Sequence, residues 1–311
     1  MAFVKGFGSY LPGRIVTNEE VGKLVGLTSE WIVNVSGIEQ RRYAREDETV
    51  ADMAVNAAER CLKNARIAPE NIGLVVMASG TSERCFPASG SCVVSELGLS
   101  NTPVMDLQIA SAGSLFAIGI ARDLASRYGN VLVVASEKMS PVVMRKPMHR
   151  STAPLFGDGA GACVISAEKG MIELLDVTLH SDGAYADQLC LGWDAPLKMN
   201  GRNVIQHASR KMPSAIRTVL ERNEVCIDDV EAFLLHQANQ HLLEKVVAAV
   251  GAPKEKLYTV LKKYGNTSSA SMLIAADEYF REHKPSKGKY VVFAAFGAGY
   301  QWGAVLGRIS S

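Results

Sequence analysis

Apolar and polar positions along this chain follow two rhythms, one with the period of a strand and one with the period of a helix. Residues 3–10 read as a strand closed by Leu11-Pro12-Gly13. Thr17-Asn-Glu-Glu20 is a near capping box, and Thr28-Ser-Glu-Trp-Ile-Val opens a second short helix. Gly37 to Ala44 reads as a solvated hairpin arm. Val50 to Lys63 is a strongly amphipathic helix, and Gly73 to Ala78 a buried strand. Gly80 to Ala88 is a loop in which Pro87 suits the first turn of a helix running to Glu96. After Ser111, apolar residues recur at Leu115, Ile118, Ala121 and Leu124, which is helical spacing. Leu132–Ser136, Cys163–Ser166, Ile172–His180, Phe233–Leu235 and Val291–Phe296 are apolar strands. Val204–Asn223 and the segments from Gln240 and Ser271 are helical. Met139–Pro154 and Asp182–Arg202 lack either rhythm.

The pattern repeats within the chain. Ala57 to Met77 (AAERCLKNARIAPENIGLVVM) and Ala215 to Leu235 (AIRTVLERNEVCIDDVEAFLL) each read as helix, acidic loop, buried strand. Leu62 pairs with Leu220, Ile72 with Val230 and Met77 with Leu235 at one offset of 158 (235 − 77). The offset continues without a gap through Ser111/Ser269, Leu115/Leu273 and Val133-Val134/Val291-Val292. One register held over about seventy residues points to a duplicated unit. Helices alternating with strands predict an α/β fold of two halves, 1–166 and 167–311, packed about a pseudo-twofold axis. Equivalent loops then meet at the centre, and a site there draws on both halves.

Composition narrows the classes. The chain has 311 residues, 48% apolar and 21% charged, which is globular, and its net charge of +1 gives no general case for nucleic acid or an anionic membrane. The N-terminus lacks a signal-peptide pattern, and no apolar run is long enough to span a bilayer; a cytoplasmic protein is the expectation. Cys61, Cys85, Cys92, Cys163, Cys190 and Cys226 form no metal-ligand spacing and no evident disulfide framework.

Three polar residues fall at strand-to-helix junctions: Ser111, His236 and Asn266. Each alone has an ordinary structural reading, as a helix cap, a satisfied histidine and a turn residue. Together, with backbone N–H groups from the glycine turn at 297–299, they fit acyl or carbonyl chemistry. No GxSxG elbow surrounds Ser111. The string Phe156-Gly-Asp-Gly-Ala-Gly-Ala precedes a strand and does not join strand to helix, so it reads as a Gly-lined wall and not a dinucleotide site. Trp31 reads by composition as core more readily than as a stacking platform. The basic cluster Arg145, Lys146, His149, Arg150 suits a surface loop or the phosphates of a nucleotide-like group.

At these residues the chain resembles the thiolase-fold condensing enzymes, specifically the ketoacyl-acyl-carrier-protein synthase III family. The likeness spans the chain. It rests on Thr28-Ser-Glu-Trp-Ile, Phe156-Gly-Asp-Gly-Ala-Gly-Ala, Met199-Asn-Gly-Arg, His236-Gln-Ala-Asn, Gly265-Asn-Thr-Ser-Ser-Ala and Phe296-Gly-Ala-Gly-Tyr-Gln-Trp-Gly. The resemblance implies a layered α-β-α-β-α architecture, a cytosolic homodimer and a decarboxylative Claisen condensation of fatty acid or polyketide biosynthesis. An acyl-CoA would transfer its acyl group to residue 111. His236 and Asn266 would stabilise the enolate of a malonyl thioester, free or on an acyl carrier protein, or another small acceptor would enter. The N–H groups of Ser111 and Ala298 would form the oxyanion hole. Trp31 and Arg150 would hold the adenine of coenzyme A. Asn239 would contact the pantetheine arm, Phe156, Met199 and Gly201 would belong to the coenzyme A and substrate site, and Phe86 would close the partner subunit's acyl pocket. No metal and no resident cofactor are implied.

The chain departs from the family at the nucleophile, which is cysteine in a pattern like Ala-Cys-Ala-Gly-Phe, whereas here it reads Ala110-Ser111-Ala-Gly-Ser114. A thiol pKa of about 8.5 falls to between ~3.5 and 7.5 at a helix start. An alcohol lies many units higher, and a helix dipole worth ~0.3–2 kcal/mol does not close that gap. Ser111 would need a base, and His236 is the candidate in view. The sequence leaves three readings open: an inactivating Cys-to-Ser substitution, a serine-variant acyltransferase, or a non-catalytic acyl-thioester-binding homologue.

Overall fold

The computed structural model describes residues 1–193 and 195–310; Asp194 and Ser311 lie outside it. The first half comprises β1 (Phe3–Tyr10), β2 (Arg14–Thr17), α1 (Asn18–Val25), α2 (Ser29–Ser36), β3 (Gln40–Tyr43), α3 (Val50–Ala65), β4 (Ile72–Ala78), α4 (Ser89–Glu96), β5 (Val104–Leu107), α5 (Gly113–Tyr128), β6 (Asn130–Glu137), α6 (Ser140–Val143) and β7 (Gly159–Ser166). The second comprises β8 (Ile172–Ser181), β9 (Leu189–Cys190), β10 (Lys198–Met199), α7 (Gly201–Arg222), β11 (Val230–Leu235), α8 (Gln240–Ala249), α9 (Leu261–Tyr264), α10 (Ser271–Glu282), β12 (Tyr290–Gly297) and β13 (Gln301–Ile309).

Local chemistry starts several helices. Thr17, Thr28 and Thr49 are N-caps of α1, α2 and α3, each accepting a backbone N–H, and Thr49 completes a capping box with Asp52. Pro87 does not open α4: it sits ahead of the N-cap Ala88.

The strands run β11-β12-β13-β8-β1-β7-β6-β4-β5. The central strands of the two halves correspond. β4 lies parallel to β6, which is antiparallel to β7; β11 lies parallel to β12, which is antiparallel to β13. The parallel bridge from Phe233 to Leu257 takes the place of the β4–β5 pairing. α5 begins at Gly113 and α10 at Ser271, which is the offset of 158 (271 − 113) seen in the sequence. The halves join through Phe3 opposite Glu173 and Val4 opposite Ile172, so one ladder runs through both.

Alternation along each strand sorts side chains into layers. Leu74, Val76, Val133, Ala135, Leu234, Phe293 and Ala295 pack with Leu115, Ile118, Leu273 and Ile274 of α5 and α10 in one buried core. On the far faces, Val75, Met77 and Val134 meet α3, while Phe233, Leu235 and Val292 meet α7 and α8. The result is the expected order α-β-α-β-α, with α5 and α10 at the centre. The Gly37–Ala44 arm is not simply solvated. Arg41 is fully buried, donating to the Val16 and Pro154 carbonyls and to Asn18 Oδ1, so it pins β3 beneath the 150s loop.

Candidate active site

The site forms where α5 and α10 begin side by side. A Cβ on Gly113 would lie 2.9 Å from the Ala78 Cβ and 3.3 Å from the Ser269 Cβ, so only glycine lets the two helix starts approach this closely. Ser111 precedes this point in a turn and caps nothing: the N-cap of α5 is Ala112, and it has no side-chain cap. Ser111 is largely buried yet lines a cavity of about 160 Å³. That cavity also brings in His236, Asn266, Ala298, Phe156, Met199, Gly201 and Asn239. The rest of its wall is mostly apolar, including Leu189, Leu197, Val204, Met212, Leu242 and Phe296.

His236 continues β11, its main-chain N–H donating to the Ala294 carbonyl at 2.9 Å. The ring Nδ1 lies 2.7 Å from Ser271 Oγ, so Nε2 is the nitrogen left for the cavity. Burial pushes the His236 pKa down to about 4, offset in part by the Ser268 backbone, so the ring is neutral at pH 7. Asn266 is held on both sides of its backbone, donating to Leu155 O at 2.9 Å and accepting from Gly157 N at 3.0 Å. Its side-chain Oδ1 accepts from Ser268 N at 2.8 Å. That bond fixes the amide orientation and leaves Nδ2 for the cavity. His236 and Asn266 are thus each oriented by a hydrogen bond on one atom of the side chain, to Ser271 Oγ and from Ser268 N.

The Phe156–Ala162 string packs beside this site as a wall. A Cβ on Gly157 would sit 2.4 Å from the Tyr264 carbonyl, and a Cβ on Gly297 would sit 2.8 Å from Ala112 N. Both glycines allow main chain to approach main chain, the second placing the 297–299 turn against the Ser111–Ala112 turn.

Trp31 and Arg150 lie apart, lining a recess with Gly26, Leu27, Thr28 and Ser151. The indole is 45% exposed, which overturns its reading as core. The Arg150 guanidinium donates to Gly26 O at 3.0 Å. Ser151 also lines a neighbouring cavity that shares Cys190, Leu197 and Met199 with the central one, so the three recesses are neighbours. Asn239 lines the central cavity, but its amide caps α8 through Leu242 N and donates to Val35 O at 2.7 Å. Phe86 is 87% exposed and outside the cavity of its own chain.

Glu137 is a site residue that no motif in the sequence singles out. It ends β6, is fully buried and touches the cavity. Its carboxyl accepts from Gly80 N, Thr81 Oγ1, Ser268 Oγ and Ser269 Oγ, tying the loop beside Ser111 to the segment that orients Asn266. Burial pushes its pKa up, against those hydrogen bonds. The one signal was the hydroxyl-rich run Thr267-Ser-Ser-Ala-Ser271.

Comparison with known proteins identifies relatives of this fold. The family described as 3-oxoacyl-[acyl-carrier-protein (ACP)] synthase III matches residues 105–183, and its C-terminal family matches residues 220–309. The chain is 36% identical to the β-ketoacyl-[acyl-carrier-protein] synthase III of Wolbachia pipientis subsp. Culex pipiens, over 99% of each chain. The crystal structure of 3-oxoacyl-[acyl-carrier-protein] synthase III from Aquifex aeolicus superposes with a TM-score of 0.95 at 34% identity, covering 99% of this chain and 100% of that one. A priming β-ketosynthase from a polyketide biosynthetic pathway superposes with a TM-score of 0.91 at 34% identity, covering 100% and 96%. The fold and its relatives define a condensing enzyme of the thiolase type. Within that class, the chain belongs to the ketoacyl-acyl-carrier-protein synthase III family. No helix among the described residues is long and apolar enough to cross a membrane.

Proposed function

We propose that this chain binds an acyl-CoA and a malonyl thioester and joins them in a decarboxylative Claisen condensation. The observation that carries the reading is the convergence of His236, Asn266, Ser111 and Ala298 on one apolar cavity. Loss of carbon dioxide leaves the C–C bonding pair on the thioester, as an enolate. Nε2–H of His236 and Nδ2–H of Asn266 donate to that enolate oxygen, in a site where apolar walls exclude water and strengthen both bonds. The enolate carbon then attacks an acyl carbonyl. The N–H groups of Ser111 and Ala298 hold the resulting oxyanion, whose collapse expels the acyl group's former carrier. Trp31 and Arg150 take the adenine end of coenzyme A, and Phe156, Met199, Gly201 and Asn239 line the arm that leads inward.

Ser111 occupies the position of the family's cysteine and is the weak point of this machinery. Among the described residues no cation or base is in hydrogen-bond contact with the Ser111 hydroxyl, so its alcohol stays protonated, acyl transfer to it is slow and decarboxylation survives. The reading extends to a cytoplasmic homodimer in which Phe86 reaches the partner subunit, with acyl carrier protein as the natural bearer of malonate. It also treats 1–166 and 167–311 as repeated halves, one bringing residue 111 and the other His236 and Asn266. The test is carbon dioxide release from a malonyl thioester. Release by the parent that falls at least about a hundredfold in His236→Ala and in Asn266→Ala supports the reading. Release that is absent from the parent and from Ser111→Cys overturns it.

A further inference from the structure

We propose that Ser271 is a positioning residue that sets the tautomer of His236 and holds the ring as an Nε2–H donor. The inference rests on the reading of His236 as an enolate-stabilising group. Ser271 lies in the first turn of α10 and is 1% exposed. Among the described residues its hydroxyl oxygen has two partners, the Gln237 backbone nitrogen at 3.1 Å and His236 Nδ1 at 2.7 Å. A backbone N–H only donates, so Gln237 occupies one lone pair of Oγ. The hydroxyl proton then needs an acceptor, and Nδ1 is the acceptor in reach. A neutral ring that accepts at Nδ1 carries its proton at Nε2. The opposite tautomer would donate from Nδ1 into Oγ and leave a buried hydroxyl proton without an acceptor, an arrangement folded proteins avoid. Burial keeps the ring neutral, so the choice of tautomer and not its charge decides what His236 does.

The consequence falls on Ser111. A ring with its proton on Nε2 has no lone pair facing the cavity. It donates to an oxygen that gains charge, and it takes no proton from the Ser111 hydroxyl. Ser271 therefore favours the donor role of His236 and removes the base that a serine nucleophile would require.

The test is nitrogen-detected NMR of ¹⁵N-histidine-labelled protein at neutral pH, with His236→Asn assigning the ring. The expected result is a protonated Nε2 and an unprotonated, hydrogen-bonded Nδ1. In Ser271→Ala the ring becomes a mixture of tautomers, and kcat for malonyl-thioester decarboxylation falls about tenfold with KM nearly unchanged. Ser271→Thr, which keeps the hydroxyl, restores both. A proton on Nδ1 in the parent overturns the proposal, as does a Ser271→Ala spectrum with the parental tautomer. If the parent shows the Nε2–H signature but neither it nor Ser111→Cys releases carbon dioxide, the tautomer assignment stands and the proposed function fails.

Discussion

Asn266→Asp isolates one hydrogen atom in the proposed mechanism. The two side chains have the same shape, and an aspartate oxygen can still accept from Ser268 N, which holds Oδ1 at 2.8 Å in the parent. What changes is the group facing the cavity: an Nδ2–H donor becomes a carboxylate oxygen. Removing one preorganised donor from such a site costs about 2.7–4 kcal/mol in the transition state. At about 1.36 kcal/mol per decade, that is a loss of roughly 10²–10³ in rate. The variant oxygen would also oppose charge growing on the enolate, so the larger figure is the better guide. Asn266 is 6% exposed, so a carboxyl placed there resists ionisation and titrates above the usual carboxylate range. Once protonated it can donate again. Decarboxylation by Asn266→Asp is therefore expected to recover as pH falls, while parental activity changes little over the same range. The assay is carbon dioxide release from a malonyl thioester against pH, with thermal melting as the control for folding. A folded Asn266→Asp protein with a rate within about twofold of the parent at every pH, including alkaline pH where the carboxyl is ionised, would refute the assignment of Nδ2 as an enolate donor.

Three further outcomes follow from the same structure. The His236 pKa is depressed to about 4, from 6.5, so the unfolded chain takes up a proton that the folded chain refuses; stability is fully present above pH 6.5 and falls by roughly 3 kcal/mol as pH drops through this window, a loss that His236→Asn should flatten in urea titrations. Glu137 has its pKa raised from 4.5, so its contribution is fully present below that value and is lost as pH rises through the folded value; Glu137→Gln should therefore be least favourable relative to the parent in acid and gain on it as pH rises, read from melting temperatures across the range. Trp31→Ala should raise KM for acyl-CoA substrates about tenfold with little change in kcat, because the indole lies in an outer recess remote from His236 and Asn266.

Features fixed by local chemistry were the legible ones. Thr17 and Thr28 each stand three residues before the N–H they cap, within one turn of chain. The offset of 158 survived in the sequence because buried strands and central helices constrain every apolar position they contain. The meeting of Ser111, His236 and Asn266 was legible through motif and symmetry together. Arg41 was not, since its carbonyl partners come from Val16 and Pro154, far apart in the chain. Glu137 was hidden for the same reason: its donors come from residues 80–81 and 268–269. Ser271 looked like one more small residue at a helix start, and only its distance to His236 gives it meaning. Trp31 was misjudged because an aromatic in a short amphipathic helix carries no mark of which side faces solvent.

The measurement that bears most directly on the central claim is intact-protein mass after incubation with a panel of acyl-CoA esters, for the parent and for Ser111→Cys. The account expects the cysteine form to gain one acyl mass and the serine form to gain none, because the cavity is built to receive the acyl group and only the alcohol is unactivated. A cysteine form that gains no acyl mass from any ester, while folded, would contradict the assignment of this cavity as a condensing site. A serine form acylated as fast as the cysteine form would contradict the claim that His236 acts as a donor and not as a base.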